Sequence, residues 1–147
     1  MNKKFILLSV VFLLMVGAGF AQSKPQQTMI NGKVSLGKYH ERDELDRMQK
    51  GPLLKLYVER IEIIIKILPN IAFATKPGVT MASLGIPETK DHLKALKAQK
   101  EATSTYFDST LEFQQKILPY SDKSNLVSAI LFYEETLKSL HTYNEFN

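Results

Sequence analysis

A chain of 147 residues with a formal charge of +4 has room for one compact domain, and its basic excess is too small to mark a nucleic-acid surface. It contains no cysteine, which excludes a disulfide framework, a thiolate metal site, a cysteine nucleophile and a lipid-anchored N-terminal cysteine.

Lys3 and Lys4 precede an apolar run from Phe5 to Val16, and Gly17-Ala18-Gly19-Phe20-Ala21 follows. This is the three-part pattern of a secretory signal peptide, with cleavage expected after Ala21. The run falls short of the roughly 20 residues a membrane span needs, so no stable span is expected once it is removed. Its bacterial style places the mature chain in the periplasm or outside the cell. Losing Lys3 and Lys4 leaves that chain close to neutral.

Residues 22–37 are polar and lack a helical period, which predicts a flexible leader before a helical domain over residues 38–147. Inside the leader, Asn31-Gly32 between short semi-apolar runs is the local signal for a tight hairpin. The fragment Thr28 to Val34 resembles the opening strand of the carboxypeptidase regulatory-like β-modules of some exported bacterial proteins, although no run of further strands follows it.

Lys38 to Lys50 is densely charged with a thin apolar edge at Leu45 and Met48, and the run Glu41 to Asp46 is expected to be a solvated face. Gly51-Pro52 either breaks this helix or opens the next one, since proline costs little in a first helical turn. In Leu53 to Leu68, Lys55, Glu59, Glu62 and Lys66 step by four, three and four. They gather on one narrow stripe of a helix whose remaining circumference must be covered. The alternating isoleucines from Ile61 to Ile67 favour a strand instead, but the stripe persists beyond ordinary strand length and Glu62 precedes Lys66 in the favourable helical order.

The segment from Pro69 to Pro87 is too rich in proline and glycine for a long helix, yet Ile71, Phe73, Val79, Met81, Leu84 and Ile86 are too apolar for a linker. It is expected to fold over one end of the domain. A helix from Pro87 to Leu118 follows, with two adjoining apolar edges and a weak, bend-prone middle at Thr103-Ser104-Thr105. Pro119 ends it, and Ser121 caps a last helix from Asp122 to about Phe146, with a core stripe of Leu126, Ala129, Ile130, Tyr133, Leu137 and Leu140. Lys66-Ile67-Leu68-Pro69 and Lys116-Ile117-Leu118-Pro119 echo one another, as any two amphipathic helices stopped by proline can.

These elements predict an all-α domain of three long antiparallel helices, the first kinked or broken near Gly51-Pro52, with loop 69–87 capping one end. In that arrangement His92 and His141 share an end and His40 lies at the other, so a three-histidine metal site is not expected. The templates for a phosphate cradle and a nucleophile elbow are missing as well. No catalytic, cofactor or metal residue is therefore assigned, and the chain is read as a binding protein, an adaptor, inhibitor or immunity factor. Its expected contact surface is Phe73, Lys76, Val79, Thr80, Met81, His92 and His141. The expected partner is a protein or an apolar small molecule. A small-molecule- or metal-binding protein or enzyme with its site at the His92 and His141 end, and a structural envelope protein self-associating through the Leu53 to Leu68 helix, are the alternatives.

Overall fold

The computed structural model describes residues 26–32 and 34–145, with side chains as far as residue 140. The signal-peptide assignment, the side chains of His141 and Tyr143, and Phe146 lie outside that description. The domain is all-α: α1 (Arg42–Arg47), α2 (Lys50–Ile67), α3 (Lys90–Ile117) and α4 (Lys123–Glu145). Among the described residues the sole β pairing is an isolated bridge between Thr28 and Thr80. No helix among them is long and apolar enough to cross a membrane.

The break between α1 and α2 falls at Met48-Gln49, and Gly51-Pro52 belongs to the first turn of α2. Proline is tolerated there because that turn's N–H groups have no intrahelical acceptor. Along α2 the polar stripe stays at least partly wet, while Leu53, Ile63, Ile64 and Ile67 are buried. Each proline-stopped helix closes in a single 3₁₀ turn, Leu68–Asn70 after α2 and Leu118–Tyr120 after α3. α3 starts three residues later than expected because Thr89, not a first-turn proline, caps it, its Oγ1 accepting the His92 N–H at 3.2 Å. Thr103-Ser104-Thr105 does not interrupt it.

Two apolar cores divide the interior. One joins Leu45 of α1 and Leu53 of α2 to Leu126, Val127 and Ile130 of α4. The other joins Ile63, Ile64 and Ile67 of α2 to Leu96 of α3, Leu137 of α4, Met81 of the loop, and Met29, Ile30 and Val34. Those last three residues overturn the expectation of a loose leader over this stretch. The described residues of this stretch, 28–32 and 34, form no hairpin with one another; Thr28 and Met29 pair outward with the loop, the Met29 N–H donating to the Val79 carbonyl at 2.6 Å. Exposed backbone in both segments is thereby satisfied while their apolar side chains enter one core. The solvated face expected over Glu41 to Asp46 holds except at Leu45, which is fully buried.

α3 departs furthest from expectation. Of the two apolar edges foreseen for it, Leu96 is its buried residue, whereas Tyr106, Phe113 and Ile117 stand in water.

Candidate functional site

Three groups placed far apart in sequence meet between the two cores. Arg60, the one polar residue of Leu53 to Leu68 that lies off the stripe, is 2% exposed, and Glu134 on α4 is 1% exposed. Glu134 Oε1 accepts from Arg60 Nε at 3.0 Å and Nη2 at 2.7 Å, while Oε2 accepts the main-chain N–H of His40 at 2.6 Å. His40 Nδ1 lies 2.9 Å from Oε1 and 3.2 Å from Arg60 Nη2. A carboxylate cannot donate, so the shorter contact assigns the proton to Nδ1, with the ring donating to Glu134. Arg60 also donates to the Lys38 carbonyl at 3.0 Å and to Glu59 at 2.6 Å.

His40 is thus buried in this cluster, and Glu44, one turn after it, pairs with Lys38. Burial by itself would push the Glu134 carboxyl upward, but hydrogen bonds from the His40 backbone and ring and from Arg60, with the Arg60 charge, outweigh it and hold the carboxyl below the ordinary glutamate range. A folded-state value below the unfolded one means the carboxylate stabilises the fold above the unfolded value, and that stabilisation disappears as pH falls through the folded value. Urea unfolding from pH 7 downward should therefore show stability falling below the ordinary value of 4.5, with a shallower slope in Glu134→Gln. An equal slope in both would remove Glu134 as the source.

Its saturation makes this cluster a structural clamp, since every strong donor around Glu134 is already spent inside the chain. A cleft of about 360 Å³ lies between the N-terminal segment, α2 and α3. Glu62 and Lys66 come from α2, Asn70 from the 3₁₀ turn after it, Gln99, Lys100, Thr103, Phe107 and Asp108 from α3, and Met29 to Gly32 close one side. The paired residues Glu62 and Lys66 supply no net charge. Gly32 has φ +75°, a left-handed turn that favours glycine, and a Cβ there would meet Lys66 Nζ only at ordinary contact distance, 3.9 Å. Asn70 is buried, donating to the Lys66 carbonyl at 3.0 Å. Thr103 Oγ1 donates to the Gln99 carbonyl at 2.9 Å and accepts from the Gln99 amide at 3.2 Å.

Lys100 differs from these neighbours. It is half-buried, burial lowers the affinity of its amine for a proton, and no acid among the described residues forms an ion pair with it, although Asp108 lines the same cleft. A second, more apolar groove of about 480 Å³ lies farther along the same two helices, walled by Leu54, Val58, Leu111 and Leu118.

The contact surface expected from sequence divides. Phe73 and Lys76 are exposed and Val79 is partly so, but Thr80 and Met81 turn inward, Thr80 to pair with Thr28 and Met81 to fill the core. His92 is exposed at the start of α3, its Nδ1–H donating to the Pro87 carbonyl at 2.6 Å. No group of three histidine, aspartate or glutamate side chains among the described residues is placed to hold a metal ion. Arg60 was recognisable in the sequence as a charge off the wet stripe, and Glu134 as an acid four residues after Ile130 on the core face of α4. The polar side chains of Gln99 and Lys100 stand likewise about one turn beyond Leu96, and that of Thr103 two turns beyond it. Comparison with known protein families, with curated proteins and with solved structures returned no match.

Proposed function

We propose that this is an exported binding protein without chemistry of its own, built as three long helices running up, down and up, and that its cleft takes a small organic anion. The fold reading is supported by the linings of the two clefts, one shared by Lys66 late in α2 and Lys100 early in α3, the other by Leu54 early in α2 and Leu111 late in α3. Lys100 carries the functional reading. A partly desolvated cation without an acid partner gains most from an anionic group that replaces its lost water. Phe107 and Ile30 offer apolar contact for the rest of such a molecule.

Anilinonaphthalene sulfonate joins one anion to an aromatic body and reports burial by its fluorescence. Saturable one-to-one binding is expected, weakened about tenfold, or about 1.4 kcal/mol, by Lys100→Met and unchanged by Lys94→Met on the exposed side of α3. Equal affinity in the wild type and Lys100→Met would refute the site. A second reading, contact with a protein through the loop, is favoured by exposed Phe73 three residues from exposed Lys76, an aromatic anchor with a charge beside it.

A further inference from the structure

Tyr106, Phe113 and Ile117 of α3 are 63%, 58% and 50% exposed, and Phe132 of α4 is 68% exposed. The three on α3 are spaced by seven and four, so they lie along one line of the helix. None of α3's charged residues shares that line. Phe132 adds a further exposed ring on α4, 5.9 Å from that of Tyr133. Burial, then the hydrogen bond and charge of Tyr57 and the charge of Tyr106, push the Tyr133 hydroxyl up to about 12. Aromatic side chains present about 150–250 Å² each, so the four residues together leave on the order of 450 Å² in water. One partner contributes about 800 Å² to a stable interface of ordinary size, a little over half of it apolar. The patch supplies about that share.

We propose that this face pairs with the same face of a second copy, the two α3 helices crossing antiparallel about a two-fold axis near Phe113. An isologous interface must be complementary to itself. Glu112 and Lys116, which form an ion pair at 2.8 Å on the exposed side of α3, meet that requirement, because antiparallel crossing brings Glu112 of each copy toward Lys116 of the other. A membrane-binding face would instead be edged by lysine and arginine alone.

The chain has no cysteine, so Phe113→Cys introduces a single thiol at the axis. Mild oxidation of the purified protein should give a covalent dimer for Phe113→Cys and not for Phe73→Cys in the exposed loop. Sedimentation over a range of micromolar concentrations should show a reversible dimer for the unmodified protein. The double change Tyr106→Lys, Phe113→Lys should reduce it to monomer with an unaltered circular dichroism spectrum. A protein that stays monomeric throughout, a lysine variant that still dimerises, or equal cross-linking of the two thiol variants would each overturn the proposal.

Discussion

Replacing Glu134 with alanine is expected to cost about 3–5 kcal/mol of folding free energy, enough to consume much of the roughly 5–15 kcal/mol that holds a domain together. The loss exceeds what the ion pair itself contributes. Without Glu134 the Arg60 guanidinium stays buried with two of its donors unmatched, and the His40 backbone N–H and ring lose their acceptor. Each orphaned neutral group adds about 1–3 kcal/mol. Removing both charges while keeping an acceptor should restore part of the stability. The double variant Arg60→Leu, Glu134→Gln leaves an amide oxygen for the His40 N–H and should recover at least half of what Glu134→Ala loses. A double-mutant cycle by urea unfolding measures this directly. A cost within experimental error for Glu134→Ala would show that the cluster is open to water.

Ile30→Ala should cost about 2–5 kcal/mol, the usual range for emptying a buried isoleucine site. Ile30 is sealed between α2, α3 and the loop, and its removal leaves a void that a segment tied down at Thr28 and Met29 cannot close. Ile117→Ala is the contrasting case. That residue is half exposed in the monomer, so its loss should change monomer stability by no more than about 0.5–1 kcal/mol. Equal, small effects at both positions would mean that residues 28–34 contribute nothing to the core.

The difference between those two isoleucines also marks where sequence reasoning succeeds and where it stops. α2 was legible because four charged residues repeat with a helical period, and its end and that of α3 because proline follows each apolar run. The core stripe of α4 followed from the same period. Residues 28–34 were not legible: Met29, Ile30 and Val34 have no regular spacing, and their burial depends on a loop some fifty positions later. The exposed line on α3 was read as core because the spacing of Tyr106, Phe113 and Ile117 specifies a face without specifying what lies opposite. Glu134 belongs to a third kind. Its position on the core face was visible, but its partners stand 74 and 94 residues away, beyond any local pattern.

Those same separations bear on the order in which the chain can become a protein. A polypeptide emerging from a ribosome or a membrane channel releases Lys38, His40 and Arg60 long before Glu134. Until α4 is free, the buried guanidinium has no counter-charge and neither core can close, since Leu126, Val127, Ile130 and Leu137 arrive on the same helix. The incomplete chain has every reason to remain open and thread-like. Completion is then abrupt, because one helix delivers the last wall of both cores and the carboxylate that links them.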